Sequence, residues 1–186
     1  MMFYPILAIA SPAAEGAEEV YIPDPGLEAA IREAIDKLYG PIYVKDLEGL
    51  TTLDAPERGI ANLTGVEYCT DLESLYLSSN KITDLSPLSY LVNLKKLYLS
   101  SNKITDLSPL SHLINLKGLD LWSNKITDIA PLVLDSGLSE GDTVELTDNP
   151  LSETSIKVYI PQLERRGVAV NPNLPLNVKI KAKKGI

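Results

Sequence analysis

One cysteine, one histidine, one tryptophan and one phenylalanine are all that this 186-residue chain holds of those four types. A lone Cys69 cannot form an intrachain disulfide, and its place among apolar positions marks it as a small core residue rather than a reactive thiol. A lone His112, without a partner histidine, makes a poor metal site and reads as a surface packing residue. Aromatic residues are 6% of the chain and apolar residues 45%, so the interior must be filled by aliphatic side chains. No apolar run is long enough to span a bilayer. Positive charge is short too: 17 Lys and Arg stand against 25 Asp and Glu, a net charge of −8. That balance argues against nucleic acid or an anionic membrane as main partner. Also missing are the G-x-S-x-G, P-loop, G-x-G-x-x-G and H-E-x-x-H motifs. No catalytic residue, cofactor or metal is therefore assigned, and the chain reads as a non-enzyme.

What the chain has is repetition. The stretch from Leu72 to Leu88 returns almost unchanged at Leu94, 22 residues on, and more loosely at Leu116, another 22 on. A fixed period in this range signals a solenoid, in which each coil buries its apolar edge against the next. Within a coil, Leu75 and Leu77 are two apart and share one face, which leaves Tyr76 on the other. The leucine face is the core and the Tyr76 face the open concave surface. Asn80 follows where the chain must bend, and an Asn amide can bond backbone groups on both sides. The resulting structural ladder is Asn80, Asn102, Asn124 and, after a longer coil, Asn149. Ile82, Leu85, Leu88 and Leu91 recur every three residues, which suits a 3₁₀-like return with one stripe inward. Ser86-Pro87 and Ser108-Pro109 suit helix starts, with the hydroxyl as a cap. Ala130-Pro131 lacks that hydroxyl. An earlier coil starts at Leu50, with Arg58 in place of the ladder Asn. A last one holds Val144, Leu146 and Asn149, after about three inserted residues near Asp135–Glu140. The count is five coils and a five-stranded parallel sheet, with strands centred on Ala55 or its neighbours, Tyr76, Tyr98, Asp120 and Glu145.

These residues resemble the leucine-rich repeat superfamily, and N-K-I-T-D-L-S-P-L is similar to the 22-residue internalin-type repeats of bacterial cell-surface proteins. The stretch Ile22–Ile35 resembles the N-terminal helical cap of such proteins, with Leu27, Ile31, Ile35 and Leu38 on one stripe and Pro25 starting the helix after Asp24. Gly141–Val170 resembles the closing unit: a last strand, then a helix from about Ser152 to Arg166, ended by Gly167. The fold class is thus an α/β solenoid. It has a curved parallel sheet on the concave face, a 3₁₀ or irregular convex side, and helical caps at both ends. The expected organisation is a leader or degenerate signal peptide plus linker (1–19), N-terminal cap (20–49), four repeats (50–137), last repeat and C-terminal cap (138–170), and a basic tail or start of a further domain (171–186). Phe3–Ala10 is apolar and Ala8-Ile9-Ala10 has a small-x-small pattern, but no Lys or Arg precedes Arg32, so signal peptide and unstructured leader both stay open.

The resemblance implies non-enzymatic recognition of a protein partner. The middle outward column reads Asp54, Tyr76, Tyr98, Asp120, Glu145, and the next Pro56, Ser78, Ser100, Trp122, Thr147. At about 4.8 Å between strands, Tyr76 and Tyr98 should touch, with Trp122 close by. Tyr76, Tyr98 and Trp122 are the candidate anchors, and Asp54, Asp120 and Glu145 would favour a basic partner. Cross-strand packing alone also explains the aromatics. Asp84, Asp106 and Asp128 read as turn caps offset by Lys81, Lys103 and Lys125; a calcium site would need a different loop. Two other readings stand beside recognition by a secreted or cell-surface monomer. One is a rigid spacer or envelope component, which the near-identity of coils 72–93 and 94–115 favours. The other is an intracellular scaffold, since similar 22-residue repeats occur in cytosolic phosphatase regulators.

Overall fold

The computed structural model describes residues 18–134 and 136–172. The expected leader and basic tail lie, except for their inner ends, outside the described residues. Six short strands form one parallel sheet in chain order: β1 (Thr52–Asp54), β2 (Ser74–Tyr76), β3 (Lys96–Tyr98), β4 (Gly118–Asp120), β5 (Thr143–Glu145) and β6 (Ala169–Asn171). The sheet is in register at the repeat period, with Leu53, Leu75, Leu97, Leu119, Val144 and Val170 aligned. Parallel neighbours need a return path between them, and each coil supplies one. The returns of the second and third coils contain 3₁₀ turns at Ser86–Tyr90 and Ser108–Leu110. An α/β solenoid with a parallel sheet on one side is therefore the fold.

In strands and helices, four details depart from the sequence expectation. The sheet has a sixth strand, because the chain after Gly167 returns to pair with β5. Each of the first five strands is centred on its inward residue and ends, rather than centres, on Asp54, Tyr76, Tyr98, Asp120 and Glu145. The return of the fourth coil is a short α-helix, α2 (Ala130–Leu134). The helix near the C-terminal end runs without a break over 153–165 as expected, but is wound as a π-helix at Ser155–Tyr159 before α3 (Ile160–Arg165), with Gly167 in the left-handed region.

One continuous core runs through all coils. Leu75, Leu97, Leu77, Leu99, Ile82, Ile104, Leu88 and Leu110 have no exposure. Cys69 is equally buried, and burial, aided by the Glu67 carboxylate, pushes its thiol up to about 12. At the β1 end, the helix α1 (Pro25–Ala34) buries Leu27, Ala30 and Ile31. Leu38, assigned to the same stripe, is 59% exposed, because the helix ends at Ala34 and Asp36 takes a left-handed φ of 51°. Asp24 binds this helix to the first coil. One carboxylate oxygen accepts from Gly26 N and Leu27 N at 3.0 and 3.2 Å, the other from Ala61 N and Asn62 N at 2.8 and 3.1 Å. Burial pushes this carboxyl up, but the four backbone donors outweigh it and hold it below the ordinary carboxylate value. Arg58 does not extend the Asn ladder with its side chain; it pairs with Glu33 of α1 at 2.5 Å.

The ladder asparagines work in one direction. Asn102 Oδ1 accepts from Ile82 N at 3.0 Å, and Asn102 Nδ2 donates to Leu77 O and Leu99 O, both at 3.0 Å. Asn80, Asn124 and Asn149 repeat the pattern, each bonding its own coil and the one before. The aspartates cap the turns as expected, but the serine hydroxyls do not. Asp84 accepts from Ser86 N at 2.8 Å and from Ser86 Oγ at 2.6 Å. The hydroxyl thus donates rather than caps, because a carboxylate can only accept. Asp106 does the same with Ser108, whose hydroxyl and amide hold its carboxyl below the ordinary value. Asp128 keeps the bond from Ala130 N at 2.9 Å.

Candidate functional site

The outward positions of the strands make columns on the open face. The first reads Thr52, Ser74, Lys96, Gly118, Thr143, Ala169, and the second Asp54, Tyr76, Tyr98, Asp120, Glu145, Asn171. Past the strand ends stand Pro56, Ser78, Ser100, Trp122 and Thr147, where Ser100 Oγ donates to Ser78 Oγ at 2.9 Å. Alternation along each strand fixes these directions: one slip would turn Leu97 outward and Tyr98 into the core.

Tyr76 and Tyr98 stack with ring centroids 4.9 Å apart and planes 8° from parallel. That separation is about the strand spacing of ~4.8 Å, so the rings sit on the sheet like successive rungs. Both are half-buried. Trp122 does not join them. It is 42% exposed, and its Nε1 donates to Asp148 Oδ2 at 3.0 Å. An indole N–H seeks an acceptor, and Asp148, one coil further on, supplies it. The structure thus stacks the two tyrosines on one another and ties the tryptophan to the following coil.

The carboxylates of the second column are held in place. Asp120 Oδ1 accepts from Trp122 N at 3.0 Å. Glu145 Oε1 accepts from Thr147 N at 2.7 Å, and its Oε2 from Asn171 Nδ2 at 2.6 Å. Asp54 stands exposed beside Tyr76 at the first edge. Three features escaped the sequence reading: Asp148 as the tryptophan's acceptor, Asn171 as the sixth member of the column, and a recess of about 590 Å³ over β4 to β6. The recess opens where Gly118 takes the place of Lys96 and Asp120 the place of Tyr98. A comparison of coil 116 with coil 94 contains both changes; a strand glycine often marks a close approach by a ligand or another backbone.

Lys81, Lys103 and Lys125 are exposed beyond the turns, and His112 is exposed on the return side. Among the described residues no group of three or more His, Cys, Asp or Glu is arranged to hold a metal ion. No helix among them is long and apolar enough to cross a membrane.

Period, aligned leucines, Asn ladder and parallel sheet together define a leucine-rich repeat solenoid. The family described as "Leucine Rich repeats (2 copies)" matches residues 92–134, and "Leucine Rich repeat" matches residues 68–85. Internalin H of Listeria monocytogenes is 39% identical over 69 residues, which cover 36% of this chain and 13% of that protein. Among solved structures, an internalin (inlF) from Listeria monocytogenes superposes with a TM-score of 0.60 at 28% identity, covering 80% of this chain and 55% of the other. The functional domain of InlJ from Listeria monocytogenes gives 0.64 at 30% identity, covering 73% and 30%. A leucine-rich repeat protein of Leptospira interrogans gives 0.52 at 32% identity, covering 60% and 28%. Residues 68–85 and 92–134 are leucine-rich repeats, and the chain is similar to proteins of the internalin type. It spans little more than half of the inlF chain and a small part of Internalin H.

Proposed function

We propose that the chain is a non-enzymatic recognition module that holds a protein partner against its concave sheet. Tyr76 and Tyr98 supply the anchor, Trp122 a second contact further along, and Asp54, Asp120 and Glu145 the charge that selects a basic surface. The observation that carries this reading is the Tyr76–Tyr98 stack, half-exposed on a rigid sheet. Rigid aromatics give contact area with few torsions to freeze, and binding energy concentrates in such residues. Leucine-rich repeat proteins of the internalin type typically mediate protein–protein interaction, which supports the class of function. Similarity to Listeria internalins supports a secreted or surface-displayed location. In the same reading the module acts as a monomer, and residues 20–49 and 138–170 close the two ends of the core.

The test is capture of a partner by the intact chain from a panel of extracellular proteins. Tyr98→Ala and Trp122→Ala should each weaken capture by about 1 kcal/mol or more, and Lys103→Ala should leave it unchanged. Loss of capture with Lys103→Ala but not with the aromatic variants would move the surface off the sheet. Retention of no partner at any salt concentration would favour a rigid spacer, to which the near-identity of coils 72–93 and 94–115 also points.

A further inference from the structure

The Tyr76–Tyr98 stack uses only one face of the Tyr98 ring. With the rings 8° from parallel and one strand spacing apart, the other face of Tyr98 looks across β4. There the stack stops, because Asp120 occupies the next rung. In the neighbouring column Gly118 leaves the floor open.

That glycine has no conformational reason to be there. Its φ is not in the left-handed region. A Cβ added to it would meet only Thr143 Oγ1, at an ordinary 3.8 Å. A strand glycine with neither a backbone nor a packing requirement costs stability. Its missing side chain leaves open one part of the floor of the recess of about 590 Å³, whose walls include Tyr98, Asp120, Thr143, Glu145 and Glu164. Three of those are carboxylates, and none of the residues lining the recess is a lysine or arginine. Lys96 lies one strand away in the same column, outside the lining.

An open aromatic face next to carboxylates suits one chemical group above others. A guanidinium is planar, stacks on aromatic rings, and offers paired donors to carboxylate oxygens; an ammonium does neither of the first two. The geometry points to an arginine-side-chain pocket on the sheet, with the guanidinium stacked on the free face of Tyr98 and bonded to Asp120 and Glu145. This rests on the concave-face reading above and specifies which residue of the partner enters.

The probe is N-acetyl-L-argininamide, titrated into the isotope-labelled full chain and followed by amide shifts. N-acetyl-L-citrullinamide, its neutral near-isostere, and N-acetyl-L-lysinamide are the comparisons. Expected are saturable shifts at Gly118, Asp120 and Thr143 with the arginine compound, weaker ones with lysine and none with citrulline. Gly118→Lys refills the recess with the residue the preceding coil carries there, and Glu145→Gln removes one charge while keeping the shape. Each should weaken the arginine compound, Gly118→Lys by about tenfold or more, the equivalent of ~1.4 kcal/mol. Equal response to arginine and citrulline, unchanged binding by Gly118→Lys with native circular dichroism, or shifts confined to another face would each overturn the pocket. If a protein partner is captured through Tyr98 and Trp122 but Gly118→Lys leaves capture intact, the concave reading stands and the pocket falls. If the arginine compound binds as described while no partner is captured, the pocket stands and the partner reading falls.

Discussion

Asn102→Ala tests the ladder at its centre. The amide of Asn102 makes three buried bonds at 3.0 Å, from Ile82 N and to Leu77 O and Leu99 O. The three groups do not lose equally. Leu77 O also accepts from Asn80 Nδ2 at 2.9 Å, and Leu99 O from Asn124 Nδ2 at 2.9 Å, so each carbonyl keeps one partner. Ile82 N has no second acceptor among the described residues and becomes a buried, unsatisfied donor. An orphaned buried donor costs ~1–3 kcal/mol and each lost net bond ~0.5–1.5 kcal/mol. Together these give roughly 3 kcal/mol. With a urea slope of ~2 kcal/mol/M, the midpoint should fall by about 1.5 M. Asn149→Ala is the control. It sits half-buried at the end of the ladder, where water can replace it, and should cost only about 1 kcal/mol. Urea melts of both variants, followed by circular dichroism, decide the matter. Equal losses at the two positions would show that the ladder bonds do not hold the coils together.

Leu97→Ala should cost roughly 2–5 kcal/mol, since Leu97 is fully buried between two coils. Tyr98→Ala gives up a stacked pair worth about 0.5–1.5 kcal/mol; equal losses in denaturant melts would reverse the inside and outside of β3. Asp24 has its folded-state carboxyl held below the unfolded value of about 3.9, so its contribution is complete above that pH and disappears as pH falls through the lower folded value. Asp24→Asn, with one acceptor oxygen instead of two, should be about 1 kcal/mol less stable at pH 7. Melts from pH 7 to pH 3 should show that gap closing below about pH 4, and a constant gap would remove the charge from the account. Cys69, pushed up to about 12 and buried, should resist iodoacetamide at pH 8 in the native chain and react once urea unfolds it; rapid native labelling, read by mass spectrometry, would contradict the packing.

The repeat made most of the fold legible, because a period of 22 constrains every coil at once. The inward leucines, the order of the parallel strands and the alignment of Tyr76 with Tyr98 all follow from it. What lay outside the period was hidden. β6 carries Ala169, Val170 and Asn171 rather than the leucine pattern, so nothing local announces its pairing with β5. The direction of Trp122 depends on Asp148, an acceptor that arrives only after the inserted residues. Leu38 kept its helical spacing on paper, but the left-handed turn at Asp36 takes it off the stripe. The recess is the hardest case: Gly118 contributes by having no side chain, and an empty place has no apolar or charged signature. It is visible only as a deviation from Lys96 one coil earlier.

Because each ladder asparagine bonds its own coil and the one before, the joint between any two coils is chemically the same. One more 22-residue unit placed between the third and fourth coils would meet both neighbours with bonds they already make. The addition would change no joint, only the length of the stack, by about one strand spacing of ~4.8 Å. The sheet is in this sense a ruler with fixed graduations. The span from the tyrosine pair to Trp122 is set by how many coils separate them, so it can be lengthened by whole coils without redesign of the interior.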